Sequence, residues 1–210
     1  MATVIIGIGV LAMVDAQSSF ITANNWSSHA ASGTYLANEI REMTRSLPKH
    51  DPVVGLFIED DGGAGVLHGW GPDSGEVTVE DFDDIEDFDG LTFSFTGTAG
   101  FADGDLPGPL NAFGEIIPDI SVNGVETGST TNGVFTGDAM FGWSQQVIVQ
   151  KIDPFDFSVV RADNFTEDSD GDFPGRKVDE YPLRVTVRVF YQAANAITPD
   201  LVTEVKWVVP

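Results

Sequence analysis

Apolar residues are concentrated at the start of the chain, in a run from Ala2 to Val14. The run continues, without a Gly-Pro turn signal, into an alanine-rich amphipathic stretch that stops at Pro48. This pattern predicts one long helix over residues 2–47, apolar at its start and polar toward its end. At 1.5 Å per residue such a helix extends about 70 Å. One small domain cannot cover that length, so part of the helix is expected to lie in lipid, against neighbouring copies, or in both.

Short alternating runs of apolar and polar residues, separated by Gly- and Asp-rich turns, follow Pro48. They are typical of antiparallel β-structure. The clearest strand is Leu183–Tyr191, whose odd-numbered residues form an apolar side while Arg184, Thr186 and Arg188 point the other way. Leu201–Val209 is predicted to be its hairpin partner, with Glu204 opposite one of the two arginines. The other predicted strands are Val53–Ile58, Gly65–His68, Leu91–Phe95, Trp143–Ile152 and Phe157–Val160, with further hairpin turns at Asn123-Gly124 and Asn132-Gly133.

The sequence therefore predicts an α+β protein, in which a long N-terminal helix precedes an antiparallel β-sheet head. The predicted division places the helix at residues 1–47 and the head at residues 48–210. Alanines at positions 16, 23, 30 and 37 are seven residues apart, which puts them on nearly one side of the helix. That side is expected to pack closely against another helix or, beyond about residue 23, against the chain's own head.

The net charge of the chain excludes some classes of binding partner. It carries 33 acidic and 10 basic residues, a net charge of −23, with 42% hydrophobic residues. Nucleic acid and anionic membrane surfaces would repel such a protein. The hydrophobic content excludes a disordered acidic tail. Because the chain has no cysteine, disulfides, thiolate metal sites and cysteine nucleophiles are excluded too.

The segment Val4–Ala12 also fits a glycine-rich turn that binds dinucleotides after a strand. Such a fold needs a second strand that ends in an acidic residue about 20 positions later, and then repeated alternation of strands and helices. The sequence that follows is helical instead. Glycines within an apolar, closely packed helix are the favoured interpretation.

Four segments resemble the type IV pilin-like proteins, the minor pilins and pseudopilins of type IV pili and type II secretion systems. Val4–Ala12 looks like the hydrophobic N-terminal helix of this family, and Leu36–Glu42 looks like its amphipathic continuation. Phe82–Gly90, an acidic segment with aromatic residues, resembles a motif of minor pilins of mannose-sensitive haemagglutinin pili. The C-terminal pair of predicted strands, which ends with Glu204–Val209, is similar to the closing strands of such heads.

The chain also departs from this family. It begins at Met1 inside the hydrophobic helix, without the family's basic leader, cleavage glycine or the glutamate that follows them. We expect the sequence to be truncated at its N-terminus, since a span of about 20 apolar residues would cross a bilayer and this run is shorter. Peptidase processing and N-methylation, which the family shows, cannot be assigned to any residue.

The resemblance implies a non-catalytic filament subunit, held in the cytoplasmic membrane with its head outside and then moved into an extracellular or periplasmic filament. Its partners would be other pilin-like subunits. The implied assembly residues are Ile6, Gly7, Gly9, Leu11, Ala12, Ala16, Phe20 and Ala23. A cell-surface adhesin or glycan-binding domain, tethered by the helix, is the alternative.

Catalytic motifs are not evident. His29, His50 and His68 lack the spacing of a zinc site, and no nucleophile elbow or phosphate loop is found. We therefore predict that the chain is not an enzyme and has no cofactor, with calcium as the one possible ion. Acidic side chains alternate around Gly171, and oxygen ligands on a tight turn suit Ca²⁺. The candidate ligands are Asp168, Asp170, Asp172 and Asp179. The run from Glu80 to Asp89 is instead predicted to be a short amphipathic turn on the sheet.

Overall fold

The structure of the protein is a computed structural model that describes residues 2–60, 62, 65–98, 104–131 and 134–210. The α-helix α1 extends from Ala2 to Thr44. It ends three residues before the predicted boundary, because the Leu47 N–H turns back to the Thr44 carbonyl (3.2 Å) and Pro48 cannot continue a helix.

Within the described residues, nine strands follow α1. They are β1 (Phe57–Glu59), β2 (Val66–His68), β3 (Thr92–Ser94), β4 (Leu106–Pro107), β5 (Gly128–Thr131), β6 (Val134–Gly137), β7 (Trp143–Lys151), β8 (Leu183–Tyr191) and β9 (Asp200–Val209). Five of them form the main sheet in the order β4-β3-β7-β8-β9, and β1-β2 and β5-β6 are separate hairpins. Every pairing is antiparallel except β3 with β4. The predicted α+β class is confirmed.

The prediction for β8 and β9 is confirmed in detail. The apolar side of β8 is fully buried at Leu183, Val185, Val187 and Val189. Arg188 lies opposite Glu204 in the ladder, and its Nε donates to Glu204 Oε2 at 2.7 Å. Only Thr186, on the other side of β8, is more buried than its alternation predicts.

Two predicted strands are wrong or too long, for one physical reason. Phe157–Val160 forms no strand, because Asp153 and Asp156 accept backbone N–H bonds two residues further along and turn the chain. Likewise, Asp51 Oδ1 accepts the N–H groups of Val53 and Val54, so β1 begins only at Phe57. Aspartate side chains compete with sheet ladders for such N–H groups.

The last turns of α1 pack on one face of β8 and β9. Leu36, Ala37 and Ile40 are fully buried there. Gly33 permits the close approach, since a Cβ at that position would lie 2.9 Å from Val202 Cγ1. Buried Gln145 on β7 donates to the Leu36 carbonyl at 2.8 Å. This half of α1 is therefore part of the head's core.

Candidate functional site

The N-terminal half of α1 projects beyond the head. From Val10 to Ser28 every residue is exposed, including large apolar side chains such as Leu11 (68% exposed), Phe20 (74%) and Trp26 (61%). Contact with the head begins at His29, whose ring lies 4.2 Å from that of Tyr191. Large exposed apolar side chains gathered on one element mark a contact surface for a protein or a membrane.

From Met13 to Thr22 the projecting half has one largely apolar side and one polar side. Met13, Phe20 and Ile21 are spaced by seven and eight residues, and they line a shallow groove with Ala16 and Gln17. Residues three, four and seven apart share one side of a helix. We call these five residues the assembly stripe.

The opposite side of the projecting half is polar between Asp15 and Thr22, with the apolar Leu11 and Trp26 on the same side before and after that stretch. It carries Asp15, Ser18, Ser19 and Thr22, and all four are exposed. Each precedes one of the residues that pack on the head, Gly33, Leu36, Ala37 and Ile40, by 18 positions, about five full turns at 3.6 residues per turn. The side of α1 that faces the head therefore continues as the polar side, and the assembly stripe points away from the head.

The predicted assembly residues divide into two groups. Leu11, Ala12, Ala16, Phe20 and Ala23 lie on the projecting half with exposed side chains. Ile6, Gly7 and Gly9 belong to α1, but their surroundings lie outside the described part of the structure. Met13 and Ile21 were not predicted, although their spacing from Phe20 was visible in the sequence.

The alanine stripe changes its role along α1. Ala16 and Ala23 are exposed, Ala30 is half-buried and Ala37 is fully buried. A seven-residue repeat drifts by about 20° per heptad on a straight helix, which carries the alanines gradually onto the head. The expectation that the later alanines pack against the chain's own head is confirmed. Within the residues that the structure describes, no helix has the length and apolar content required to span a bilayer.

A buried histidine and glutamate fix the chain where it leaves α1. His50 Nδ1 lies 2.9 Å from Glu86 Oε2, and His50 Nε2 lies 3.0 Å from the Asp179 carbonyl oxygen. A carbonyl oxygen can only accept a hydrogen bond, so His50 Nε2 carries a hydrogen. His50 Nδ1 and Glu86 Oε2 then share one further proton. Glu86 is completely buried, and burial raises its pKa while His50 opposes the shift.

Lys49 and Lys151 are the nearest cations to this pair. Lys49 Nζ donates to the Tyr181 carbonyl at 3.0 Å, and burial lowers its pKa. Lys151 is completely buried, and its Nζ donates to the Asp163 carbonyl between the rings of Trp70 and Tyr181. Burial lowers the pKa of Lys151 to about 8. Lys49 thus joins the helix exit to the segment that leads into β8, and Lys151 joins β7 to the loop at Asp163.

The run from Glu80 to Asp89 was predicted to be a short amphipathic turn, and in the structure it holds the short 3-10 turn Glu86–Phe88 and the end of another, Val79–Asp81. Phe82, Ile85 and Phe88 are buried in the core. Asp84 Oδ1 accepts the N–H groups of Glu86 (2.6 Å) and Asp87 (3.2 Å). The buried carboxylates of this segment thus hold the backbone of the turns. Its acidic residues therefore have a structural role.

Three carboxylates beside these turns form a cluster. Oxygens of Glu76, Asp83 and Asp87 lie within 4.8 Å of one another, and oxygens are the ligands that hard divalent cations prefer. Burial raises the pKa of Asp87 to about 7, and the charge of Glu76 adds to the shift. No other described residue directs an unpaired buried group at the cluster. The geometry of the three carboxylates is therefore not sufficient to identify an ion-binding site.

The predicted calcium ligands are arranged differently. Asp168, Asp170, Asp172 and Asp179 are all exposed, and no three of them come within 4.8 Å of one another. Asp170 and Phe173 exchange backbone hydrogen bonds of 3.0 and 2.9 Å across a tight turn at Gly171. Calcium binding by this loop stays a prediction. A thermal midpoint that calcium raises in the wild type but not in Asp170→Asn would support it, and one that calcium leaves unchanged would contradict it.

We expect the head to lose stability as pH rises, because its buried carboxyl groups then become charged. Burial raises the pKa of Asp84 to about 8, so the folded state holds more protons than the unfolded chain between about pH 4 and that value. Stability is fully present below this window and is lost as pH rises through it. Asp84→Asn keeps the acceptor oxygen and removes the charge. It should therefore reduce the loss between pH 5 and 8 by at least about 1 kcal/mol.

Thermal unfolding measured from pH 5 to 8 checks this prediction, with Asp172→Asn as the exposed control. Repulsion among the other acids affects wild type and both variants alike, so the difference between the curves is the readout. Lys151 acts only at higher pH, since its lowered pKa increases stability above about pH 8. Parallel curves for wild type and Asp84→Asn would contradict the prediction.

Comparison of the chain with protein-family models, with curated proteins and with solved structures finds no match. The resemblance to type IV pilin-like proteins therefore depends on the sequence segments that carry it. Its implications have to be argued from the arrangement of this chain's own side chains.

Proposed function

We propose that the chain is a non-catalytic structural subunit, a minor pilin or pseudopilin, of a type IV pilus-like or type II secretion-like filament. The division of α1 carries the proposal. Its last turns belong to the head's core, while its projecting half presents the assembly stripe to solvent. A stalk of this kind supports a subunit that joins others through its helix and displays its head outside.

The two sides of the projecting half favour helix packing against other subunits. Ala16, a small residue on the stripe, allows the backbones of two helices to approach closely, and packing rather than hydrophobic transfer drives association where lipid is the competitor. Gln17 beside it is more favourable against a protein partner, which can accept its hydrogen bonds, than in lipid. With the stripe pointing away from the head, helices would gather inside a filament and heads would lie outside.

Before assembly, we propose that the apolar start of α1 holds the subunit in the cytoplasmic membrane with its head outside. Asp15, which would be costly deep in lipid, would then lie at the boundary. The filament itself would be extracellular or periplasmic. Nucleic acid is not among the proposed partners, because the chain's net charge of −23 repels it.

The histidines support a non-catalytic role. His29 packs on Tyr191, His50 joins Glu86 and the Asp179 carbonyl, and His68 stacks on Phe57 with its Nε2 3.1 Å from Glu59 Oε2. All three make contacts that stabilise the fold. The buried Glu86 is likewise engaged with His50 at the helix exit, and the buried Lys151 is engaged with the Asp163 carbonyl.

Placing a charge on the assembly stripe tests the proposal. The full chain, purified in detergent, is expected to form high-molecular-weight assemblies when detergent is removed. Phe20→Asp should reduce the sedimenting fraction at least about tenfold, because a buried unpaired charge costs more than the 1.4 kcal/mol that a factor of ten requires. Ser18→Asp, on the polar side, should assemble like the wild type.

The outcome of this experiment separates the filament from its alternative. A wild type that stays monomeric after detergent removal, or equal assembly of both variants, would contradict the filament proposal. A monomeric chain that still binds to membranes would favour the tethered adhesin or glycan-binding domain.

A further inference from the structure

Among the strands that the structure describes, none pairs with the outer edge of β9. β9 extends over ten residues, Asp200–Val209, and its inner edge pairs with β8 along the whole strand. No other strand in the described part of the chain pairs with β9. An open edge presents a row of N–H and C=O groups that can bond to another strand.

The residues of β9 are complementary to themselves when two copies run antiparallel. If the two strands are centred on Val205, Glu204 of each copy lies opposite Lys206 of the other. Thr203 then lies opposite Trp207. Opposite charges in directly facing positions stabilise an antiparallel pair, and this arrangement supplies two such positions at once.

The charges already alternate across the sheet on this side. Arg188 on β8 lies 2.7 Å from Glu204, and Lys206 lies 2.6 Å from the same carboxylate. A second copy would extend this row of alternating charges, since Arg188 and Glu204 would be followed by the second copy's Lys206. If the pairing were centred on residue 206 instead, the Lys206 side chains of the two copies would face each other. If it were centred on residue 204, the two Glu204 side chains would face each other. Like charges in facing positions are unfavourable, so the charges select one register.

We propose that the outer edge of β9 is a docking surface for a second copy of this chain, which adds its own β9 in antiparallel orientation. The two five-stranded sheets then become one continuous ten-stranded sheet. The contact has two-fold symmetry, so each copy supplies the same surface. The backbone bonds give the contact its strength, and Glu204 with Lys206 fixes its register.

The direction of α1 shows which copy can occupy this edge. Gly33 lies against Val202, and Arg41 lies over the ring of Trp207, so α1 runs in the same direction as β9. Antiparallel β9 strands therefore hold two α1 helices that point in opposite directions. Neighbours within one filament of parallel helices do not meet this condition. The β9 partner consequently belongs to a separate assembly, and the contact goes beyond the proposed function.

Two variants with opposite charge changes test the proposal. Lys206→Glu places acids at both edge positions, and Glu204→Lys places lysines at both, so each variant repels itself. A mixture of the two restores opposite charges at both facing positions. All chains carry Phe20→Asp, which removes contact through the assembly stripe and keeps this test independent of the filament proposal.

Sedimentation velocity of the full chain in detergent measures the outcome. We expect a dimer for the chain with native β9, at least about tenfold weaker dimerisation for each variant alone, and recovery in the mixture. Lys177→Glu, an equal charge change on an exposed residue elsewhere, should dimerise normally. Circular dichroism should show every variant folded, since the Arg188–Glu204 pair is exposed and such surface pairs contribute little to stability.

Three outcomes would overturn the proposal. They are a monomer with native β9, dimerisation of both single variants at the native level, and a mixture that stays as weak as its components. In each case Glu204 and Lys206 would serve only to keep the open edge of β9 from pairing, a common role of charged residues on edge strands.

Discussion

Ile40→Ala should lower the free energy of unfolding of the head by about 2–5 kcal/mol, whereas Ile21→Ala on the same helix should leave it unchanged. Ile40 is fully buried against the sheet, while Ile21 is 59% exposed. Removing the same atoms leaves a cavity at Ile40 and nothing at Ile21. The pair therefore measures which half of α1 belongs to the head.

Urea unfolding of the full chain in detergent, followed by near-ultraviolet circular dichroism, provides the measurement. Trp143 in the core reports on the head, and its burial makes the signal sensitive to tertiary packing. Equal destabilisation by the two variants would mean that the projecting half also packs on the head. No effect of Ile40→Ala would mean that the contact seen at the end of α1 does not contribute to folding.

The elements with regular patterns were predictable from the sequence. Strict alternation identified β8 with its bounds from Leu183 to Tyr191, and it placed Glu204 beside one of two arginines. In contrast, aspartates at positions 51, 153 and 156 bind nearby N–H groups and end or prevent strands. Alternation cannot detect this competition, because it depends on a single side-chain oxygen.

The candidate site was predictable only in part. Exposure of Phe20 follows from its place in a helix too long for one domain to cover. The polar side opposite it became clear only when packing at Gly33 and Ile40 showed which side of α1 faces the head. The pairing of His50 with Glu86 joins residues that are far apart in sequence, and no local pattern connects them.

The largest functional effect is expected from single cysteines introduced on the two sides of α1. The chain contains no cysteine of its own, so each variant carries one reactive thiol. Met13→Cys and Phe20→Cys lie on the assembly stripe, and Ser18→Cys and Thr22→Cys lie on the polar side. If the stripe packs against other copies, its cysteines come close to those of neighbours, whereas the polar side stays apart from them.

Cross-linking of these four variants after detergent removal, with a short bifunctional thiol reagent, tests the division of α1 most directly. We predict efficient cross-linked dimers for Met13→Cys and Phe20→Cys, and at least about tenfold less for Ser18→Cys and Thr22→Cys. This difference corresponds to a preference of about 1.4 kcal/mol for one side of the helix. Equal cross-linking on both sides, or none on the assembly stripe, would contradict the account.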